Sequence, residues 1–427
     1  MIGSALLALP FSTASGEACS YLDALFTATT ATCVTGLVTV PTATTWSVFG
    51  QIVILILIQI GGLGLITITT GIALVFHRKL KLKDSRLIQE AFNLNTFSDL
   101  MHFVKKVLLG TLIVECVGAI LYLPVFIPHF GIRGIWISFF NAVSAFCNAG
   151  IDVIGLNSLY DYATNPLCNA VTCSLILLGG LGYIVWWDIF RVFKTGKGKR
   201  FQRLTLHSKI VLSTTAILVF GGAVAVFLLE YNNPLTLRNY SLFDKIQIAL
   251  FQSITTRTAG FATIPQENLT NASALVCMML MFIGGSPAGT AGGIKTVTFV
   301  VLIATAFSTL RNQDEISLFG RSLTRQTVKK AVTVIFTSFA IFFISTLLLC
   351  ISTEIPLIDA LYETVSATAT VGLTRNVTPF LNEWGKCIII LTMYAGRIGP
   401  ISLAASFYVK TKNANAFQNP TEEISVG

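Results

Sequence analysis

The sequence has 427 residues, of which 53% are hydrophobic and only 11% are charged, and its mean hydropathy is +0.74. An average soluble domain carries roughly 25% charged residues, so this composition excludes a soluble protein and predicts an all-α polytopic protein of the lipid bilayer. The net charge of +9 does not indicate a nucleic-acid partner, because the basic stretches lack the interleaved aromatic residues that single-strand binding uses.

Seven apolar segments are long enough to cross a bilayer, whose hydrocarbon core is ~30 Å thick against a helical rise of ~1.5 Å per residue. Met1–Pro10 is also apolar, but as a helix it would rise only ~15 Å. We therefore expect a truncated first helix there, since no charged region precedes it as in a signal peptide. The seven predicted spans are about 46–76, 104–128, 166–193, 208–231, 273–309, 327–353 and 384–409.

The distribution of Lys and Arg predicts how these spans are oriented. Most of the 29 basic residues lie on one side, which the positive-inside rule assigns to the cytoplasm, together with both termini of the complete protein. The expected location is thus the cytoplasmic membrane. The basic segments are 77–86, 105–106, 191–203, 209, 311–330 and 410–412.

Four short segments on the opposite, outer side share one pattern. In each, about ten apolar and hydroxyl-bearing residues lead to a glycine, and a long apolar segment follows after a polar gap. Such a run is too short to span a bilayer, which needs ~20 residues, so we interpret each as a re-entrant half-helix. The segments are LFTATTATCVTGLVTV (25–40), FFNAVSAFCNAGIDVI (139–154), FQSITTRTAGFATI (251–264) and YETVSATATVGLTRNV (362–377).

This recurrence predicts four tandem helix–pore-loop–helix repeats with fourfold pseudo-symmetry around one ion pore. The chain then divides into pore repeat 1 with a partial first helix (1–78), a cytoplasmic connector (79–103), pore repeat 2 (104–193), a cytoplasmic loop (194–206), pore repeat 3 (207–310) with a glycine-rich gating loop (284–296), a cytoplasmic loop (311–326), pore repeat 4 (327–410) and a cytoplasmic tail (411–427).

The residues that end each half-helix are the candidate ion site. Non-helical backbone is tolerated inside a bilayer only where protein buries it or where it lines water, and its carbonyls can then replace the hydration shell of a cation, as in a potassium filter. Glycine permits the φ > 0 conformations and the close approach that this requires. The predicted filter residues are Val34, Thr35, Gly36, Asn148, Ala149, Gly150, Thr258, Ala259, Gly260, Thr370, Val371 and Gly372.

Other glycines receive a different interpretation. The motifs IGGLG and LGGLG contain Gly61, Gly62, Gly64, Gly179, Gly180 and Gly182 and lie in the middle of predicted spans. There we expect glycines that let helices pack closely. Cys33 and Cys147 share one repeat position and are expected to fill a packing slot behind the filter.

The third repeat contains a segment, FIGGSPAGTAGGIKTVTF (282–299), that interrupts its second span. We interpret it as a gate below the filter, since broken membrane helices are tolerated where they line a cavity; a simple kink at Pro287 is the alternative. Its GGIKT end does not match a phosphate-binding loop, in which glycine directly precedes the lysine. The predicted gate residues are Gly289, Gly292, Gly293, Lys295 and Arg397.

Charged residues within the spans are functional candidates by default, because a charge at bilayer depth costs at least ~2.5–3.5 kcal/mol. We expect Arg397 near the pore, where it raises an electrostatic barrier or donates to carbonyls of the loop. Lys295 either does the same or extends to the cytoplasmic interface. We expect Arg257 to support the third half-helix through a carboxylate or carbonyl, and Glu115 to pair with a neighbouring helix.

Three acidic residues, Asp23, Asp244 and Asp359, lie just ahead of half-helices on the outer side. They would attract cations to the pore mouth or cap the helices, and the sequence leaves both readings open. The segment 84–103 has apolar residues at helical spacing and is a candidate helix on the cytoplasmic surface.

The motifs TATCVTGL, SAFCNAGI, TTRTAGFA and SATATVGL, each followed by a long helix, resemble the four pore loops of the Trk/Ktr/HKT superfamily of potassium transporters, and within it the KtrB-type membrane subunits. The resemblance covers nearly the whole chain. It implies uptake of K⁺, with Na⁺ as a coupling or activating ion, by a homodimer of two separate pores. It also implies a cytosolic ring of nucleotide-binding RCK subunits, KtrA-like, as the regulatory partner.

The resemblance also bears on selectivity. In plant members a serine at the first filter glycine accompanies sodium selectivity, so Gly36 favours potassium. A proton-coupled or sodium-selective member of the superfamily is the nearest alternative. A remote one is an intramembrane enzyme, which we do not expect because His77, His102, His129 and His207 fall at span ends and form no catalytic or metal constellation with other residues.

Overall fold

The structure is a computed structural model that describes residues 1–64, 97–194, 200–313 and 315–399. Apart from one short hairpin, its regular elements are helices. The helices are α1 (Ile2–Leu7), α2 (Tyr21–Cys33), α3 (Thr42–Thr45), α4 (Val48–Leu63), α5 (Phe97–Phe130), α6 (Arg133–Cys147), α7 (Pro166–Leu181), α8 (Tyr183–Lys194), α9 (Arg200–Arg203), α10 (Leu206–Glu230), α11 (Leu242–Thr255), α12 (Asn271–Phe282), α13 (Thr296–Leu310), α14 (Arg325–Ser352), α15 (Leu357–Ala369) and α16 (Glu383–Ile398).

The hairpin pairs β1 (Ser317–Leu318) with β2 (Arg321–Ser322) in antiparallel register. Short 3₁₀ turns occupy Pro10–Ser12, Tyr160–Tyr162, Gln266–Asn268 and Thr378–Phe380. The hairpin follows α13, and its Phe319 ring lies 6.3 Å from the Phe201 ring of α9, so two loops that the sequence places on one side of the membrane are in contact.

Four helices of 13 to 15 residues occupy the predicted half-helix positions: α2, α6, α11 and α15. Each is followed by a buried, non-helical segment and then by another apolar helix. The following helices begin with a polar side chain that accepts from a backbone N–H of the first turn. These N-caps are Ser47 before α4, Asn165 before α7, Thr270 before α12 and Asn382 before α16, and such a cap satisfies one of the otherwise unpaired donors of a helix start.

Three helices of the described chain are long and apolar enough to cross a membrane: Val104–Phe130, Leu206–Glu230 and Arg325–Ser352. They confirm the predicted spans 104–128, 208–231 and 327–353. A bent pair, α7 and α8, turns by 95° and makes a fourth span if counted as one.

The structure corrects one predicted span, which is not continuous, and confirms the predicted interruption of another. The span 166–193 breaks between α7 and α8, and the span 273–309 consists of two helices, α12 and α13, with a loop between them. The spans 46–76 and 384–409 begin as α4 and α16, and their second halves lie outside the described residues, as do most of the 79–103 connector and the 411–427 tail.

The breaks have a common cause in glycine. Gly64, Gly182 and Gly399 follow the last residues of α4, α7 and α16 with φ of 81°, 85° and 84° and ψ of 140°, 142° and 142°. A residue with a Cβ adopts positive φ only with strain, whereas glycine does so freely. Gly64 and Gly182 therefore end helices and do not lie in the middle of a continuous helix. Gly182 also packs closely, since a Cβ there would lie 2.5 Å from the Pro287 carbonyl oxygen, whereas a Cβ at Gly64 would meet nothing within 4 Å.

The packing interpretation holds for the neighbouring glycines Gly61 and Gly179. A Cβ at either position would lie 2.0 Å from a carbonyl oxygen of the preceding short helix, that of Thr32 or of Phe146. A Cβ at Gly62 would lie 2.5 Å from the Sγ atom of Cys147. The glycines thus bring α4 and α7 into direct contact with the ends of the short helices, which positions the segments that follow those ends.

Candidate functional site

Gly36, Gly150, Gly260 and Gly372 meet at one place, and we call them the glycine ring. A Cβ on each would collide with the carbonyl oxygen just before the next glycine in the chain: Ala149 at 2.6 Å, Ala259 at 2.6 Å, Val371 at 2.6 Å and, closing the cycle, Thr35 at 2.2 Å. Each would also come within 2.6–3.2 Å of a neighbouring glycine Cα. Backbone from four distant parts of the chain therefore converges around one axis, as the sequence pattern predicts.

The three residues that end at each glycine form what we call the filter segments: 34–36, 148–150, 258–260 and 370–372. In every segment the first residue has a left-handed conformation, with φ of 55° at Val34, 59° at Asn148, 69° at Thr258 and 51° at Thr370, and the glycine again has positive φ. Non-glycine residues with positive φ are uncommon, and they concentrate at functional sites. The strain recurs four times at equivalent positions.

The carbonyl groups of the filter segments are free of backbone partners. No backbone N–H in the described part of the chain donates to any of these twelve oxygens, although the residues are buried except for the partly buried Gly150. The hydroxyls of Thr35, Thr258 and Thr370 are likewise buried with no partner among the described residues. Buried backbone groups are normally paired, so a concentration of unpaired acceptors is suited to binding a cation.

Hydroxyl groups of the short helices hold three of the segments in place. Thr30 Oγ1 accepts from the N–H of Gly36 at 3.0 Å, and Ser366 Oγ accepts from Gly372 at 3.0 Å. Ser144 Oγ accepts from the N–H of Ile151 at 3.2 Å. All three hydroxyls belong to the position six residues before the glycine.

In the third repeat a different residue provides the hydroxyl group. Its residue six before the glycine is Ile254, and Thr255 one position later donates its hydroxyl proton to the Phe261 carbonyl at 2.6 Å. Its short helix also ends without the left-handed C-cap of the other three. The hydroxyl support is therefore retained with a shift of one residue.

A cavity of about 280 Å³ opens on one side of the glycine ring. Its walls include all four ring glycines and the loops that follow them, with the side chains of Asp152, Glu267 and Thr374. On the other side of the ring is a larger cavity of about 800 Å³, lined by Cys33, Thr368, Ala369, Lys295 and Arg397 among others. Residues just before two filter segments, Cys33 and Ala369, line the larger cavity, and the glycines that end the segments line the smaller one, so the filter segments lie between the two cavities.

The loop between α12 and α13, residues 283–295, lies at the wall of the larger cavity; we call it the intramembrane loop. Its backbone pairs within the loop through a bridge between Ile283 and Ile294. It also pairs with the junction of α7 and α8, where Ser286 donates its N–H to the Gly180 carbonyl at 2.9 Å. Thr290 donates its N–H to Gly179 and its hydroxyl to the Phe146 carbonyl, at 3.1 and 3.0 Å. A Cβ at Gly292 would lie 1.9 Å from Thr370 Oγ1, so the loop packs directly against a filter segment.

All five predicted gate residues line the larger cavity: Gly289, Gly292, Gly293, Lys295 and Arg397. Arg397 donates to the carbonyl of Thr290 at 2.8 Å and also to the carbonyl of Gly61. Lys295 donates to the Ala291 carbonyl at 2.6 Å, so its ammonium lies against the loop.

Two other predicted contacts are present. Arg257 is buried and donates to the Gly284 carbonyl at 3.2 Å, which confirms a carbonyl partner and places it on the intramembrane loop. Glu115 accepts from Gln59 of α4 at 3.2 Å, which confirms pairing with a neighbouring helix; the Cys147 thiol lies 3.9 Å away.

The acidic residues ahead of the short helices have partners that sequence reasoning did not consider. Asp23 forms an ion pair with Lys386 at 2.6 Å, and Asp359 forms one with Arg375 at 2.6 Å. Asp244 accepts from the Ser241 hydroxyl at 2.6 Å. The N-capping role is wrong for all three acidic residues, because the N-caps of α2, α11 and α15 are Ser20, Ser241 and Pro356. Attraction of cations stays a prediction, and the ion pairs of Asp23 and Asp359 reduce the field that these two residues would contribute to it.

Sequence reasoning missed Glu363 of α15. It is fully buried and accepts hydroxyl protons from Thr374, at 2.7 Å, and from Thr378. The available signal was its position nine residues before Gly372, where the other repeats carry Thr27, Asn141 and Phe251.

Comparison with known proteins places this geometry in a family. Residues 4–419 match the TrkH family, described as cation transport protein. The chain is 39% identical to the Ktr system potassium uptake protein B of Bacillus subtilis over 428 residues, covering 100% of this chain and 94% of the relative. It is 38% identical to the potassium/sodium uptake protein NtpJ of Enterococcus hirae over 433 residues, with the same coverage of 100% and 94%.

A solved structure has the same fold. The crystal structure of the potassium transporter TrkH from Vibrio parahaemolyticus superimposes with a TM-score of 0.76 at 18% identity, covering 95% of this chain and 82% of that chain. The family match spans nearly the whole sequence and consists of membrane transport proteins, which excludes an intramembrane enzyme. The resemblance read from the four glycine motifs is thereby confirmed: this chain is a multi-pass membrane protein and belongs to the TrkH family of cation transport proteins.

Proposed function

We propose that this protein takes up potassium across the cytoplasmic membrane through a filter of backbone carbonyls. Ions would enter through the smaller cavity, lose their water in the filter segments and leave through the larger cavity past the intramembrane loop. The four repeats would surround this single path with fourfold pseudo-symmetry. Relatives with full-length similarity are named as potassium uptake proteins, which supports the choice of ion.

The observation that carries the proposal is a set of twelve carbonyls in the filter segments, to which no backbone N–H of the described residues donates. Leaving buried polar groups unpaired costs free energy, and a dehydrated cation on the axis would recover it. The membrane potential would drive uptake with ~2.3 kcal/mol per charge per 100 mV.

The intramembrane loop is proposed as the gate, with Arg397 and Lys295 as its charged elements. Both side chains place positive charge at the wall of the cavity through which a cation would leave. A positive charge on the path opposes a cation, and hydrogen bonds from Arg397 would keep the loop closed against the filter.

For the assembly we propose a homodimer with two pores, regulated by a cytosolic nucleotide-binding RCK ring, with sodium as coupling or activating ion. The support is the similarity to proteins named as Ktr system and potassium/sodium uptake proteins. The second candidate function is proton-coupled or sodium-selective transport. The name of the Enterococcus hirae relative favours testing sodium as a substrate.

The test is growth at limiting potassium of a strain that lacks its own uptake systems and expresses this chain with an RCK partner. We expect rescue by the parent, and loss of rescue by Gly36→Ser or Gly372→Ser. A side chain at either position collides with the neighbouring filter segment and strains a positive φ.

Gly221→Ser is the matched control, because a Cβ there meets nothing within 4 Å and its φ is not positive. The control should grow like the parent. Failure of the parent at confirmed membrane expression, or full rescue by both ring variants, would contradict the proposal.

A further inference from the structure

A buried carboxylate, that of Glu363, supports the fourth filter segment, and the other three segments have no carboxylate at the equivalent position. Glu363 lies in α15 with its side chain fully buried. One carboxyl oxygen accepts the hydroxyl proton of Thr374 at 2.7 Å, and the other accepts the hydroxyl proton of Thr378. Thr374 comes two residues after Gly372, so the carboxylate joins the short helix to the limb that leaves the filter.

The direction of the Thr374 hydrogen bond is determined by its other partners. Thr374 Oγ1 already accepts from the N–H groups of Val377 at 3.1 Å and Thr378 at 3.4 Å. Its lone pairs are thus in use, and its single proton is left for an acceptor. Glu363 supplies that acceptor, and the turn 374–378 is oriented relative to α15 as a result.

A second contact holds the same limb from the other side. Arg375 pairs with Asp359, one helical turn before Glu363, and donates to the carbonyls of Gln266 and Glu267 at 3.1 Å each. The limb is thereby joined both to its own short helix and to the third repeat. Charge-assisted bonds of this kind are roughly twice as strong as neutral ones.

No other repeat has a carboxylate at this position in its short helix. The equivalents of Glu363 are Thr27, Asn141 and Phe251, and the equivalents of Thr374 are Val38, Asp152 and Ala262. The Thr27 hydroxyl and both polar atoms of Asn141 are buried without a partner among the described residues. The hydroxyl support six residues before the glycine is common to repeats one, two and four, whereas the carboxylate is specific to the fourth.

Burial of a carboxylate is costly unless it is fully hydrogen-bonded, and a neutral acceptor would satisfy Thr374 at lower cost. Its bonds go to the limb that directly follows Gly372. We propose that Glu363 is a positioning residue for ion discrimination: through Thr374 it holds the fourth filter segment at the spacing that fits potassium. This inference rests on the proposed function.

The experiment compares potassium and sodium uptake by the full-length parent and by Glu363→Gln, Thr374→Val and the double variant, at matched membrane expression. Glutamine keeps one acceptor oxygen and loses the second bond; valine preserves the shape of Thr374 and removes its proton. We expect the potassium-over-sodium ratio to fall about fivefold in Thr374→Val, the factor that loss of one such hydrogen bond produces, and to fall less in Glu363→Gln, where a weaker neutral bond replaces the charge-assisted one. The double variant should fall no further than Thr374→Val, because without the Thr374 hydroxyl the change at position 363 has no contact to that residue left to weaken.

The matched control is Glu230→Gln. Glu230 is also fully buried and accepts from Thr236 at 2.6 Å and from the hydroxyl and N–H of Thr270 at 2.8 and 2.9 Å. Its partners precede α11 and α12, and none of its hydrogen bonds to the described residues reaches a filter segment. Its ratio should equal that of the parent. If Glu363→Gln does not reach the membrane, Thr374→Val decides alone.

Three results have distinct meanings. An unchanged ratio in Thr374→Val would overturn the inference while leaving the proposed function intact. An equal fall in Glu230→Gln would also overturn it, by assigning the loss to general destabilisation. A parent that transports no potassium would instead contradict the proposed function.

Discussion

Arg397 illustrates how one partly buried side chain can hold a segment of backbone. It extends from the end of α16 and donates to the carbonyls of Thr290 in the third repeat and Gly61 in the first. Guanidinium groups suit this task because their donors diverge in a fixed plane. The residue therefore connects three repeats below the filter segments.

We predict that Arg397→Gln raises the maximal rate of potassium uptake by about threefold to tenfold, because it removes a positive charge from the exit cavity and releases the loop. The KM for potassium should change little, since the filter segments are untouched. Initial rates of uptake over a range of potassium concentrations measure both quantities. Lys295→Gln is the companion variant that removes charge and keeps the Thr290 contact; unchanged rates in both would contradict the gate.

At the scale of elements, the intramembrane loop is placed by steric contact as much as by hydrogen bonds. Gly284 and Gly293 pack on each other within the loop, and Gly292 packs against Thr370 of the fourth filter segment. Only residues without side chains allow backbone to approach this closely. The density of glycine in the loop thus follows from its contacts.

We predict that Gly292→Ala prevents the loop from closing against the fourth filter segment and raises the maximal uptake rate by at least about threefold. The reason is that the added Cβ would lie 1.9 Å from Thr370 Oγ1 and 2.7 Å from the Ala369 carbonyl. In Gly180→Ala the new Cβ meets nothing closer than 3.5 Å, so this variant should behave like the parent. Equal uptake by Gly292→Ala and the parent would show that the loop does not control flux.

The sequence was sufficient to predict the four short helices, since a glycine after a hydroxyl-rich run recurs four times. It was not sufficient for the helix breaks at Gly64 and Gly182, because a GGxG motif in an apolar span is equally compatible with close helix packing. Only the positive φ separates the two readings. Gly399 ends α16 in the same way. The recurrence of a glycine at the equivalent position of three repeats, Gly64, Gly182 and Gly399, is the sequence signal that indicates a helix end.

Side-chain partners were the least predictable part of the site. Asp23 and Lys386 are far apart in the chain yet form an ion pair, and no local sequence pattern predicts such a contact. Glu363 was overlooked because its partners, Thr374 and Thr378, lie in a loop whose path depends on the whole fourth repeat. The type of partner of Arg257 was easier to predict, since a buried guanidinium needs a carboxylate or a carbonyl as its hydrogen-bond acceptor.

At the scale of the whole molecule, the filter segments lie between a cavity of about 280 Å³ and one of about 800 Å³. The other contacts of the site hold the backbone between the two cavities. Hydroxyl groups and Glu363 bind the filter segments and the residues that follow them, and Arg257 and Arg397 donate to carbonyls of the intramembrane loop. A molecule built this way would pass an ion only after it has exchanged water for carbonyl oxygen.

The most direct test of this account is ion flux through the purified protein in liposomes under an imposed membrane potential, with either potassium or sodium as the only permeant cation. The account predicts that potassium flux exceeds sodium flux by at least about tenfold, a preference of ~1.4 kcal/mol, and that Gly36→Ser reduces this ratio. Equal fluxes of the two ions through the parent, or a ratio unaffected by Gly36→Ser, would contradict a potassium filter at the glycine ring.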